Sequence, residues 1–495
     1  MTYDVVVVGT GNAALCAAIS ARESGANVLI VEKAPKEKKG GNSFFTDGAI
    51  RFPYGNIENL ENIVPEINKE TIHLPSYNKE DFYADLTHVT NHQTDTSLSI
   101  HLINHAYNTI LWMKKQGVEF ELNENQYFKR NGMLQFWGGL PVKTKNKGIG
   151  LIDSLIEKVS QKGIHIQYQS KATRLEKIDN KISGIYIESK NKKTQKIKTN
   201  AVILACGGFE ANKVKRVKYL GKEWENAIVR GTEYNTGDGI AMALEVGARK
   251  KGQYNGCHAH TTDYNAPSTG DFNKPGDIYK KSSYPLGIIV NTEGNRFVDE
   301  GADFRNYTYA KYGKETLKQP NQIAFQLYDK QVMSLLRKEY HLPEATVFQA
   351  NDLESLASQM KINRDNFIKT VKEYNNNVQE GYYNPGIKDK KKAENIIPVK
   401  SNWALQINTP PYFAYPVTCG ITFTFGGVGV NNRGEVLGDN NNPIPGLYAA
   451  GELVGGLFYD NYPGGSGLMA GSVFGKTAGE HSGKYSVNLR QCFEH

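Results

Sequence analysis

The chain has 495 residues, 39% hydrophobic and 22% charged, with a formal charge of +8 from 59 basic and 51 acidic side chains. That length is too great for one compact core and the composition is that of a globular enzyme, so two packed domains are expected and a mostly disordered chain is excluded. No apolar run reaches the roughly 20 residues of a membrane span, and the N-terminus lacks the charged, apolar, small-residue order of a signal peptide, which makes a cytoplasmic address the expectation.

The five cysteines, Cys16, Cys206, Cys257, Cys419 and Cys492, are odd in number and never fall two residues apart. This argues against a disulfide framework, a zinc ribbon or an iron-sulfur cluster, and no metal site is expected. Basic runs such as Lys36 to Lys39 and Lys390 to Lys392 read as solvated loops rather than a nucleic-acid surface. The mild positive balance also suits an anionic substrate, or docking to an acidic or membrane-bound redox partner.

In chain order, Tyr3 to Val8 is a valine-dominated strand, followed by Gly9, Thr10, Gly11, Asn12, Ala13 and Ala14 and a helical stretch ending at Gly25. Gly9 permits the tight turn, Gly11 lets backbone approach a pyrophosphate, and Ala14 keeps helix and strand close. The helix N-terminus then faces the phosphates. A second strand, Asn27 to Val31, leads to Glu32, about 20 residues past the glycines, where a carboxylate accepts ribose hydroxyls and repels a 2′-phosphate. This pattern predicts a dinucleotide site without separating FAD from NAD.

A second glycine turn follows at Gly40, Gly41, Asn42 and Ser43, then an aromatic, polar region to about Trp137. A helix is predicted near Ile149 to Val159, paired strands over Ile164 to Ile187, and a buried strand at Ala201 to Ala205 closed by Gly207 and Gly208. Asn235, Thr236, Gly237, Asp238 and Gly239 open an apolar helix to Val246, either a second dinucleotide contact or an ordinary Asp-containing turn. From Gln253 to Phe423 the chain is richer in aromatic and charged residues, with helices expected near Tyr328 to Glu339 and Asp365 to Glu380. Gly446 to Glu452 forms a short strand closing on glycine and an acid. Pro463, Gly464, Gly465, Ser466 and Gly467 then open the last long helix.

With the Gly40 to Ser43 loop in place, the chain resembles the fumarate reductase and succinate dehydrogenase flavoprotein family over most of its length. The most specific parts are Gly9 to Ser43 and Gly446 to Gly479. The resemblance implies an α/β fold with a Rossmann-type, glutathione-reductase-like FAD-binding domain built from residues 1–252 and 424–495. An α+β capping domain, residues 253–423, is inserted between them. It further implies FAD contacts from Gly9, Gly11, Asn12, Ala13, Ala14, Glu32 and Lys33, and from Gly40, Gly41, Asn42, Ser43, Gly48 and Ala172. The remaining implied contacts are Ala205, Gly207, Gly208, Thr236, Asp238, Gly451, Glu452, Gly465, Ser466, Gly467 and Leu468. Some family members bond flavin through a His in the loop; Asn42 stands there and has no nucleophilic ring nitrogen, so FAD is expected to be non-covalent.

The family holds a dicarboxylate between flavin and cap. His258 falls where it keeps a substrate-carboxylate His, and Gly294 to Arg305 resembles the segment ending in the active-site Arg, with Arg305 one residue further from Glu300. Arg296 reads as a structural ion-pair partner. The second substrate His is replaced by Phe423 and the second clamping Arg by Tyr462, while Lys280 and Ser283 stand at the acid and Arg that relay protons in fumarate reductases. Among subfamilies, Gly11 to Cys16, Gly40 to Ser43, Asp303 to Gly313 and Asn461 to Gly465 are most similar to tricarballylate dehydrogenases. That implies oxidation of propane-1,2,3-tricarboxylate to cis-aconitate, with hydride transfer to flavin N5.

By this resemblance Arg305 moves the proton, although arginine's pKa exceeds about 12; alternatively it clamps a carboxylate while His258 or Asp303 takes the proton. Arg51, His258, His260, Tyr284, Thr422, Thr424 and Tyr462 complete the candidate substrate site. The competing readings are a 3-oxosteroid or enone desaturase, a fumarate-reductase-like enzyme, and a non-enzymatic FAD-binding electron-transfer subunit. A membrane-associated iron-sulfur acceptor is the partner the resemblance implies, and any membrane association would run through it.

Overall fold

The computed structural model describes residues 2–123, 127–130, 133–136, 139–274 and 276–494; Trp137, the expected end of the aromatic region, lies outside them. Its largest sheet has eight strands, and at its centre is the strand Thr2–Val8. That strand pairs in parallel with Val28–Val31 on one side and Thr194–Leu204 on the other. Val5 to Val8 are buried, which is why this stretch is an unbroken valine run rather than an alternating one. Pro443–Ala449 adds in parallel to Thr194–Leu204, so the C-terminal segment returns to the sheet that the N-terminus begins.

The helix Asn12–Glu23 packs along the last helix, Ser466–Glu494. A Cβ on Gly475 would sit 2.4 Å from the Ala13 carbonyl oxygen, and one on Gly479 2.2 Å from that of Ala17. The two helices therefore meet backbone to backbone. Asn12 Nδ2 fixes their register by donating to Leu468 O at 3.0 Å and Ser472 Oγ at 2.9 Å.

A second, six-stranded sheet is organised by the long strand Tyr412–Val428. It pairs antiparallel with Lys250–Asp263, Ala324–Asp329 and Phe348–Ala350, and in parallel with the short strand Ile228–Val229. The ladder with Lys250–Asp263 shifts register between Gln253 and Cys257 and again between His258 and Ala259. Such irregularities re-aim side chains, and here they fall on His258.

The expected helices near Ile149 and Asp365 are present as Lys147–Gln161 and Arg364–Asn377. The one expected over Tyr328 to Glu339 is not. Ala324–Asp329 is a strand buried along its whole length between Ile288–Asn291 and Tyr412–Val428, and short 3₁₀ turns follow at Lys330–Leu335 and Lys338–Tyr340. Tertiary pairing overrides the local pattern there, and Asp329 ends the strand by accepting the Gln331 amide at 3.0 Å. A further helix, Leu353–Met360, has no counterpart among the sequence expectations. No helix among the described residues is long and apolar enough to cross a membrane.

Candidate active site

One long cleft runs from the turn after the first strand to the second sheet. At its first end Gly9 has φ +113° and a Cβ there would lie 2.5 Å from the Ala205 carbonyl oxygen, so only glycine fits. Gly11 caps the helix Asn12–Glu23 without a side-chain hydrogen bond, leaving first-turn amides for an anion. Glu32 Oε2 accepts from Thr10 Oγ1 at 2.6 Å and Oε1 from the Ala34 amide at 2.8 Å; burial raises its carboxyl pKa. Lys33 donates to Thr236 Oγ1 and Asp238 Oδ2 at 2.6 and 2.7 Å. Burial pushes Asp238 up, but Lys33 beside it more than offsets this and holds it at about 2. This ion pair ties the turn after the second strand to the helix Asp238–Glu245.

The loop at Gly40 to Ser43 lies along the middle of the cleft, where Ser43 Oγ accepts the Asn12 amide at 3.1 Å. Asn42 is held on three sides: Nδ2 donates to Glu210 Oε1 and the Thr422 carbonyl, and Oδ1 accepts the Thr232 amide. Behind it Glu210 is buried beside half-buried Glu452, and burial and then Glu452 push the Glu210 carboxyl well above the ordinary range.

At the other end, His258 is buried with its ring edge-on to Tyr309 and Tyr462 at 4.8 and 5.1 Å between centroids. Among the described residues neither ring nitrogen has a partner, and neither does Nε2 of buried His260. Burial, and then Arg230, hold both imidazoles well below their usual pKa, so they are neutral. Arg305 opens the short helix Arg305–Thr308 and donates to Asn306 Oδ1 at 3.0 Å. It makes no ion pair with a carboxylate among the described residues. The segment before it is pinned by Glu300, which accepts from Arg296 Nε at 3.1 Å and the Ile289 amide at 2.7 Å.

Of the expected substrate residues, His258, His260, Arg305, Thr422, Thr424 and Tyr462 line the cleft. Arg51 and Tyr284 do not. Arg51 is fully buried, with Nη1 on Tyr77 Oη and on Asp85 at 2.9 Å; Tyr284 is fully buried with its hydroxyl on Thr308 Oγ1. Both are held by protein partners off the cleft lining, with Arg51 Nη2 buried and unpartnered among the described residues. Asp303 is likewise off the cleft, paired with Lys388 at 3.0 Å. Among the expected cofactor residues, Ala14, Gly40, Gly48, Gly208, Thr236 and Ser466 stand one layer behind the lining, and the others form it.

The sequence pattern missed two charged residues of the cleft, Arg230 and Arg337, and read a third, Lys280, only as a departure from the family's proton relay. Arg230, just after the strand Ile228–Val229, donates from Nη1 to Thr422 Oγ1 at 2.8 Å and is paired with Asp277. Burial lowers it to about 10. Lys280 is buried between Asp47 and Glu339, the latter at 3.1 Å, and burial lowers it to about 7. Arg337 lies between the two short 3₁₀ turns and burial, then Arg305, lower it to about 10. Their only sequence signal is charge within the inserted segment or next to the Asn235 to Gly239 turn.

A glycine-rich turn at a helix N-terminus, continuous with a pocket of neutral histidines and an arginine without a carboxylate partner among the described residues, fits a nucleotide-dependent oxidoreductase. The profile of the FAD binding domain family matches residues 4–468, and the chain belongs to that family, among the fumarate reductase and succinate dehydrogenase flavoproteins. A probable fumarate reductase from Shewanella frigidimarina is 28% identical over 493 residues, 98% of this chain and 76% of the relative. A 3-oxosteroid 1-dehydrogenase from Mycobacterium tuberculosis is 24% identical, covering 97% of this chain and 98% of its own. Among solved structures, the open conformation of a flavocytochrome c3 fumarate reductase superimposes with a TM-score of 0.75 at 26% identity, over 98% of this chain and 79% of that one. The protein is an FAD-dependent oxidoreductase acting on CH–CH bonds.

Proposed function

We propose that the protein dehydrogenates a small polycarboxylate, with propane-1,2,3-tricarboxylate going to cis-aconitate as the best-matched reaction. The observation that carries this reading is the conjunction of His258, buried with both ring nitrogens unpartnered, and Arg305, which has no carboxylate partner among the described residues, on one cleft. Unmet buried donors cost about 1–3 kcal/mol each, a cost an anionic ligand removes. In this reading residues 253–423 cap a site whose FAD is held non-covalently by residues 1–252 and 424–495. FAD supplies the hydride acceptor when bound.

The chain's own groups do the rest. His258 and Thr422 orient one carboxylate, and Arg305, reacting as the neutral guanidine, takes the proton from the carbon next to the reacting bond, the guanidinium so formed holding the neighbouring carboxylate. The Tyr309 and Tyr462 rings exclude water from the pocket. Among the described residues no group of His, Cys, Asp or Glu side chains is arranged to hold a metal ion. Electrons are assigned to a separate acceptor, for which a membrane-associated iron-sulfur protein is the proposal.

A second reading has support of its own. Phe423, Phe458, Tyr309 and Tyr462 build an aromatic wall around His258, which suits a 3-oxosteroid or another enone. Anaerobic mixing of the holoprotein with di- and tricarboxylates and with 3-oxosteroids separates the two: bleaching of the flavin band by a polycarboxylate is expected, and bleaching by steroid alone would replace the first reading with the second.

A further inference from the structure

Four cations meet at the capped end of the cleft, and they are not equally satisfied. Arg230 is neutralised by Asp277, and Lys280 by Asp47 and Glu339. Arg337 is different. The carboxylate nearest to it, Glu339, gives Oε1 to Lys280, while its Oε2 lies 3.8 Å from Arg337 Nε, too far for a hydrogen bond. Arg337 Nε and Glu339 Oε2 are both buried without a hydrogen-bond partner among the described residues. A like charge, Arg305, lies close enough to lower Arg337 further. The arm that carries Arg337 is fixed, since its amide donates to Ser283 Oγ at 3.0 Å and Tyr340 Oη accepts the Ser283 amide at 2.8 Å.

A dicarboxylate is fully used by the two anchors already described, His258 with Thr422 and Arg305. A donor-rich cation left over on the same wall calls for one more anion. We propose that Arg337 is a specificity-determining anchor for a third carboxylate, selecting tricarboxylates over dicarboxylates. This assignment rests on the polycarboxylate reading above. A guanidinium is suited to the task because it meets a carboxylate through two parallel N–H donors.

The test is equilibrium binding to the oxidised holoprotein, read as perturbation of the flavin absorption band by propane-1,2,3-tricarboxylate and by succinate. Arg337→Gln is expected to weaken the tricarboxylate by about 10- to 100-fold and to change succinate by less than about twofold. Arg337→Lys, which keeps the charge and loses the fork, is expected to fall between. Equal weakening of the two acids, or no change in either, overturns the role of Arg337 alone. Failure of the unmodified protein to bind either acid overturns the polycarboxylate reading and this assignment with it.

Discussion

The Tyr309 hydroxyl donates to the hydroxyl of Tyr462, joining the inserted segment to the C-terminal return directly beside His258. Asn461 Nδ2 reinforces the junction by donating to the Tyr307 carbonyl at 2.6 Å. Because either phenol alone breaks the same bond, Tyr309→Phe and Tyr462→Phe are each expected to slow substrate-driven flavin reduction by roughly tenfold. The double variant should be no slower than the singles, and flavin content should not change. Stopped-flow reduction of the three variants checks this; additive losses would mean that the phenols act separately.

Gly9→Ala combines a positive φ with overlap onto the Ala205 carbonyl. A cost of roughly 2–5 kcal/mol is expected, seen as a lowered Tm together with loss of bound flavin. An unchanged Tm would show that the turn relaxes freely.

Glu32→Ala removes the acceptor for Thr10 and the Ala34 amide as well as the acid expected at the ribose. FAD affinity should fall by about 10- to 100-fold, measured by fluorescence on reconstitution of apoprotein. Asn42 is committed to Glu210, Thr422 and Thr232 and offers no nucleophile, so acid precipitation of the native holoprotein should leave all the flavin in the supernatant.

His258 and His260 give the stability a pH signature. Their folded pKa values lie well below the unfolded value of about 6.5, so as pH falls through about 6.5 the unfolded chain takes up protons that the folded chain does not. Stability is therefore lost on acidification, by up to about 1.4 kcal/mol per pH unit for each His until its folded pKa is reached. The His258→Gln, His260→Gln double variant should show a flatter dependence of Tm on pH between about 6.5 and 5 than the native protein. Parallel slopes would mean that the imidazoles are already charged in the fold.

Much of the cofactor end is legible in the sequence because its determinants are local. Gly9, Gly11 and Glu32 are set by a strand, a turn and a helix that follow one another, and Gly475 and Gly479 fall in the C-terminal stretch, ending at Gly479, that carries the family resemblance. The cap end is assembled from separated segments. Arg230 reaches Thr422 only because Val229 pairs with Ile421 in the second sheet, and Arg337 enters the cleft on an arm that the local pattern reads as helix. Arg51 is the converse case: in sequence it looks like a substrate arginine, and its contacts with Tyr77 and Asp85, which hold it off the cleft lining, come from chain segments 26 and 34 residues away. Phe423 and Tyr462 stand where the resemblance places the second His and Arg, and the cations near them, Arg230, Lys280 and Arg337, come from segments outside those motifs.

Arg305 is proposed to take the proton from the substrate carbon next to the reacting bond and to hold the neighbouring carboxylate. The direct measurement is the anaerobic rate of flavin reduction against propane-1,2,3-tricarboxylate concentration in the native protein and in Arg305→Lys. The native flavin is expected to bleach completely, and the variant to keep its FAD while reducing it at least about a thousandfold more slowly. Native-like reduction in the variant, or a native flavin that no polycarboxylate bleaches, would contradict it.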